Sequence, residues 1–150
     1  RHTVTKIDNG LVIDKVWYNE SGEYVAFDGN TLHAKQGDLF TVTLRIWPSK
    51  TNGSNSDVMI TDLLPSGFEI ENIELQRPIK NSQEATFTES MDDRFVAHFD
   101  YISNKPTIYS YTVRAVYAGE MILPDAHAEM MYKPEINGRS PILKAIIEPR

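Results

Sequence analysis

Along three long stretches of this chain, hydrophobic side chains recur at every second residue. Phe40, Val42, Leu44 and Ile46 alternate with Thr41, Thr43 and Arg45; Trp47 completes the outer set and Pro48 closes the run. Phe95, Ala97, Phe99 and Tyr101 alternate with Arg94, Val96, His98 and Asp100. Tyr109, Tyr111, Val113, Ala115 and Tyr117 alternate with Ser110, Thr112 and Arg114. A period of two belongs to a half-buried strand, because successive Cβ atoms point to opposite faces. An amphipathic helix needs apolar residues every three to four positions, and no long segment here provides them. β-branched and aromatic residues dominate the runs, as a pleated surface favours. The fold class expected is all-β, an antiparallel sandwich.

Weaker strand candidates are Val4–Ile7, Leu11–Tyr18, Tyr24–Phe27, Val58–Asp62, Phe68–Leu75, Met121–Leu123, His127–Tyr132 and Ile142–Ile147. Asn9-Gly10, Asn52-Gly53 and Asn137-Gly138 read as turns, since both residue types tolerate positive φ. Gly22, Gly29, Gly37 and Gly119 mark further reversals. Ser49–Ser56 is a polar loop. Lys80–Asp93 is a second polar stretch, with one turn of helix expected around Glu89–Asp92. No internal repeat interrupts this order.

The chain has 150 residues, which fits one domain, 1–150. Acidic and basic residues are intermixed, with a net charge of −6. That balance argues against a nucleic-acid groove or a polybasic membrane patch. The absence of cysteine excludes disulfides, thiolate zinc sites and a Cys-based thioester within the chain. No apolar run reaches the ~18 residues of a helical membrane span. Arg1-His2-Thr3-Val4 leads into strand-like sequence with no apolar leader, as expected of a domain excised from a larger chain.

Catalytic constellations are weak. Histidines at 2, 33, 98 and 127 lack metal-ligand spacing, so no metal site is expected. Asp92-Asp93, Asp57 with Asp62, and Glu69 with Glu71 offer paired carboxylates for calcium, or simply solvated loop charge. Ser66 and Ser110 lie outside any nucleophile elbow, and no Gly-rich phosphate loop occurs. The expectation is therefore a non-enzyme without cofactors. Trp17, Tyr18 and Trp47 form a sugar-stacking platform if exposed together; packing the core or its edge is the commoner role of such residues. Trp47, on the outer face of its strand, is the candidate for contact with another domain.

Met130, Met131 and Tyr132 are adjacent, so in an unbroken strand Met131 faces away from its neighbours. Pro134 is expected to end the pairing. By composition alone the three read as core packing, methionine filling gaps and tyrosine capping.

The order of several blocks adds a second reading. Gly37–Val42 comes first, then Asp62-Leu63-Leu64-Pro65-Ser66-Gly67-Phe68 within 58–72. Asp92–Ala97 and Tyr111–Gly119 follow, and Ala126-His127-Ala128-Glu129-Met130-Met131-Tyr132-Lys133-Pro134 closes the series. From Gly37 to Ser140 the chain resembles the last macroglobulin-like domain of bacterial alpha-2-macroglobulins, which are large periplasmic protease traps.

The resemblance implies a macroglobulin-like sandwich of seven or slightly more strands. It also implies a job. In the family, a thioester between Cys and Gln sits in a separate helical domain, and bait-region cleavage releases it to couple to the attacking protease. Until then a Met-Tyr pair of the last domain packs over the bond and excludes water. That pair falls on Met131 and Tyr132, while Met130 stands where relatives often carry Ala. The partners implied are neighbouring domains of the parent, above all the thioester domain, together with target proteases and, in many species, a penicillin-binding protein. The implied location is the periplasm, with a lipoprotein anchor in the inner membrane. The rival reading is a stand-alone sandwich for adhesion or carbohydrate binding.

Overall fold

The structure, a computed structural model, describes residues 6–49, 56–71, 94–102 and 105–150, and the backbone of 87–90. Thirteen strands occur among the described residues: β1 (Ile7–Asn9), β2 (Leu11–Tyr18), β3 (Thr31–Lys35), β4 (Leu39–Pro48), β5 (Ser56–Leu63), β6 (Phe68–Ile70), β7 (Phe87–Ser90), β8 (Arg94–Tyr101), β9 (Thr107–Ala115), β10 (Gly119–Leu123), β11 (Ala126–Met130), β12 (Lys133–Arg139) and β13 (Leu143–Glu148). They form a six-stranded sheet in the order β1-β12-β11-β5-β8-β7, a four-stranded sheet β2-β4-β9-β6 and a three-stranded sheet β10-β13-β3. Pairing is antiparallel apart from β13 with β3, which is parallel.

The alternation seen in sequence builds the core directly. Phe40, Val42, Leu44 and Ile46 of β4 are buried, as are Phe95, Ala97 and Phe99 of β8. The six- and four-stranded sheets meet through aromatic contacts: Phe95 stacks on Tyr109 at 5.3 Å and on Tyr111 at 5.0 Å. A second cluster joins Trp17 edge-on to Phe40 at 5.6 Å and to Phe68 at 5.5 Å. Each such pair contributes about 0.5–1.5 kcal/mol beyond its buried area. Buried residues of all three sheets belong to one core.

Several expectations need correction. Tyr101 and Tyr117 end their runs exposed, at 53% and 63%, because each lies at or beyond the edge of the ladder. Tyr24–Phe27 forms a single bridge from Tyr24 to Tyr18 rather than a strand. Thr31–Lys35, unassigned from sequence, pairs with β13 and buries Leu32 and Ala34. Residues 87–90, expected to lead into a helical turn at Glu89, form a strand on β8; Met91–Asp93 lie outside the described residues, as do Val4, Asn52-Gly53 and Asn72–Leu75.

Two of the expected turns are not turns. At Gly10, with φ 107°, the chain passes from the six-stranded sheet into the four-stranded one. Asn137-Gly138 lies inside β12, where Gly138 pairs with both Ala128 and Asp8. A Cβ at Gly138 would lie 2.1 Å from the carbonyl oxygen of Leu11. Glycine is needed there for a close approach of two backbones, not for positive φ.

Candidate functional site: a fastened hairpin tip

β11 lies between β12 and β5, paired to both. At its base the hairpin is closed by a reciprocal pair of bonds: Ser140 N–H donates to the Ala126 carbonyl at 3.0 Å, and Ala126 N–H donates to Ser140 Oγ at 2.8 Å. At its far end Met130 pairs with Lys133, so Met131 and Tyr132 form a two-residue turn. The strand expected to run through Tyr132 therefore stops at Met130. Met130 is buried at 3% exposure, Met131 is 40% exposed and Tyr132 is 80% exposed. The two residues expected to face opposite ways project together from the tip.

Pro134 does not end the pairing. The register shifts between Glu129 and Met130, leaving Pro134–Ile136 as a bulge on the β12 side. β1 reaches only Asn137–Arg139, so among the described residues no strand asks Pro134 for an N–H. Asn137 holds the bulge: its Nδ2 donates to the carbonyls of Pro134 at 2.9 Å and Glu135 at 3.3 Å, while its Oδ1 accepts from Asn9 Nδ2 at 3.1 Å.

The tip is also tied sideways. Met131 N–H donates to the Asp57 carbonyl at 2.8 Å. Asp57, with φ 56°, is the sole non-glycine residue at positive φ among the described residues, and aspartate is one of the types that tolerate it. Its carboxylate faces His98 Nε2 at 3.5 Å, and Asp100 lies 3.9 Å from His98 Nδ1. Asp57, His98 and Asp100 each offer one ligand atom within 4.8 Å of the others. Sequence spacing hid this convergence because Asp57 arrives from the adjacent strand. His127 pairs with Glu129 at 3.5 Å and His33 with Asp28 at 3.7 Å; His2 lies outside the described residues. Burial pushes the His127 imidazole below its ordinary range, with the Arg139 guanidinium adding to the effect.

The other candidates disperse. Trp17 is buried at 3% exposure and Trp47 is half-buried, so the two tryptophans and Tyr18 form no exposed platform. A cleft of about 500 Å³ beside β2 is lined instead by Tyr18, Tyr24, Asp14 and Arg45. Asp57 and Asp62 do not meet: Asp62 is fully buried in the core, where its Oδ1 accepts from Lys15 Nζ at 2.7 Å and its Oδ2 accepts from the Tyr111 hydroxyl. Burial raises the Asp62 carboxyl, and the Lys15 ammonium pulls the other way; burial is the larger effect. Glu71 pairs with Arg114 at 3.3 Å. Asp92-Asp93 lies outside the described residues. Ser110 is buried on Thr43, 2.9 Å away, and Ser66 sits in an exposed turn.

An all-β sandwich of antiparallel sheets, closed by a fastened hairpin, is the architecture of a macroglobulin-type domain. The bacterial alpha-2-macroglobulin MG10 domain matches residues 10–135, and the chain belongs to that family. It is 32% identical to the alpha-2-macroglobulin of Escherichia coli over 144 residues, 85% of this chain and 8% of that protein. The Pasteurella multocida alpha-2-macroglobulin is 30% identical over 89% of this chain and 7% of its own length. The crystal structure of Salmonella alpha-2-macroglobulin reacted with methylamine superposes with a TM-score of 0.78 at 25% identity, over 96% of this chain and 10% of that one. The chain thus spans less than a tenth of the length of the Escherichia coli and Pasteurella multocida proteins.

Proposed function

We propose that this domain is the non-catalytic cover of a protease trap, with Met131 and Tyr132 packing over the thioester of a neighbouring domain until the bait region is cut. The observation that carries this reading is the tip itself. It presents a thioether and an aromatic ring outward, at 40% and 80% exposure, on a backbone held by β5, β12 and the Asp57 carbonyl. Apolar side chains on a rigid mount can exclude water from a reactive carbonyl. The mount matters as much as the side chains, because a loose cover would admit a nucleophile intermittently.

Two relatives support the reading. Escherichia coli alpha-2-macroglobulin has been solved after activation by porcine elastase, and Salmonella alpha-2-macroglobulin after reaction with methylamine. Small-amine reactivity is what a shielded thioester displays once reached. In this reading the partners are the thioester domain and other neighbours in the parent, the attacking protease and, in species that pair the two, a penicillin-binding protein. The location proposed is the periplasm, with the parent held at the inner membrane as a lipoprotein. Trp47, half-buried on the outer face of β4, is the proposed second contact with a neighbouring domain.

The test is the rate of thiol appearance in the full-length parent without protease, wild type beside Tyr132→Gly. Faster release in the variant is expected. Equal, slow release from both would remove Tyr132 from the shielding role. No thiol after protease or methylamine would remove the thioester from the parent.

A further inference from the structure

Two inward-facing positions break the apolar pattern of their strands. In β2 the inward series is Leu11, Ile13, Lys15, Trp17; in β5 it is Val58, Ile60, Asp62. A lysine and an aspartate thus replace core residues on facing sheets, and they meet. Lys15 Nζ lies 2.7 Å from Asp62 Oδ1, with side-chain exposures of 8% and 0%. The Trp17 ring sits 5.7 Å from the same nitrogen. A buried ion pair gains little stability over apolar packing of the same volume, so the arrangement calls for another explanation.

We propose that Lys15 and Asp62 condense into an amide, cross-linking the two sheets of the sandwich through their side chains. In a water-poor site the ion pair can relax to a neutral amine and a neutral acid by passing one proton from Nζ to Oδ1. The Nζ lone pair then attacks Cγ of Asp62, the carbon that bears the contacted Oδ1, with both side chains held in place by their strands. Negative charge develops on Oδ2, where the Tyr111 hydroxyl already donates a hydrogen bond. Oδ1 takes a second proton from the attacking nitrogen and leaves as water. Ammonium and carboxylate become amide and one water, so atoms and charge balance and no oxidant or activating group is needed. A cavity of about 20 Å³ bordered by Lys15, Trp17, Leu123 and Ser140 has room for that water. Burial of Asp62, reinforced by the nearby Asp125 carboxylate, favours the uncharged acid that the reaction consumes.

The inference is independent of the thioester reading, since neither residue lies near the tip in the sheet. Tryptic mapping of the denatured full-length parent tests it. The expected result is a branched peptide joining the Lys15 segment to the Asp62 segment, lighter by one water than their sum and uncut after Lys15. Lys15→Arg is expected to give only linear peptides. Recovery of separate Lys15 and Asp62 peptides from the wild type, with trypsin cutting after Lys15, overturns the proposal. In Tyr111→Phe the linked form should fall to a fraction of the chains; full linkage there would overturn the oxyanion role given to Tyr111.

Discussion

The backbone N–H of Met131 and the carbonyl of Asp57 are joined at 2.8 Å, and this bond ties the apolar tip to a residue in left-handed backbone geometry. The conformation of Asp57 therefore sets where the tip points. At φ 56°, a β-branched residue is strained by about 1–2 kcal/mol while glycine is not. Asp57→Val is expected to loosen the tip and accelerate thiol release in the full-length parent, with Asp57→Gly close to wild type. Equal release from both variants would separate the tip from this anchor.

The tip itself should contribute little to folding. Tyr132 is 80% exposed and Met131 40%, and surface substitutions of this kind stay within about 0.5 kcal/mol. Urea unfolding of Tyr132→Gly should therefore match wild type, even as thiol release changes. A large loss of stability would assign Tyr132 a packing role instead.

Gly138→Ala should be far more damaging than its chemistry suggests. The added methyl would sit 2.1 Å from the Leu11 carbonyl oxygen, and neither backbone can yield without disturbing its ladder. A loss of about 1–3 kcal/mol or more is expected by denaturant unfolding.

Thr112 presents the opposite case. Its Oγ1 is buried without a hydrogen-bond partner among the described residues. Replacing it by the isosteric Thr112→Val removes a desolvated hydroxyl, so stability should stay level or rise by about 1 kcal/mol. A clear loss would point to a partner for the hydroxyl.

Stability should depend on pH through His127. Its folded-state pKa lies below the unfolded value of 6.5 because burial and Arg139 disfavour the imidazolium. Between the two pKa values the unfolded chain binds more protons, so stability falls as pH drops below 6.5 and levels off under the folded value. An unlinked Asp62, raised from 3.8, acts with the opposite sign: its contribution improves as pH falls through its folded pKa. His127→Gln should flatten the decline just below pH 6.5; an unchanged slope would place its cause in another group.

Fold class was legible because alternation is a local property. β4 and β8 can be read from their inward residues with no knowledge of their partners. β12 was not legible. Its residues Lys133-Pro134-Glu135 are exposed, and it is a strand through backbone bonds to β11 and β1 rather than through an apolar face. Met131 and Tyr132 were singled out by family resemblance, while periodicity would have sent them to opposite sides; the structure places both in the turn after Met130. Asp57 was singled out for its carboxylate, as a pair with Asp62, whereas what holds the tip is its carbonyl and its φ, which residue type does not report. Lys15 and Asp62 did leave a signal: each carries a charge at an inward position of an otherwise apolar series.

The burial of Met130 beside the exposure of Met131 gives the tip a stepped reach. Sliding β11 by one residue would turn Met131 into the core and lift Met130 out of it. Its length can therefore change without inverting the pleat only in pairs of residues, or about 7 Å at a time. A partner surface fitted to this hairpin meets a probe of fixed height, so adjustment between relatives falls to the side chains at the tip and not to the strand that carries them.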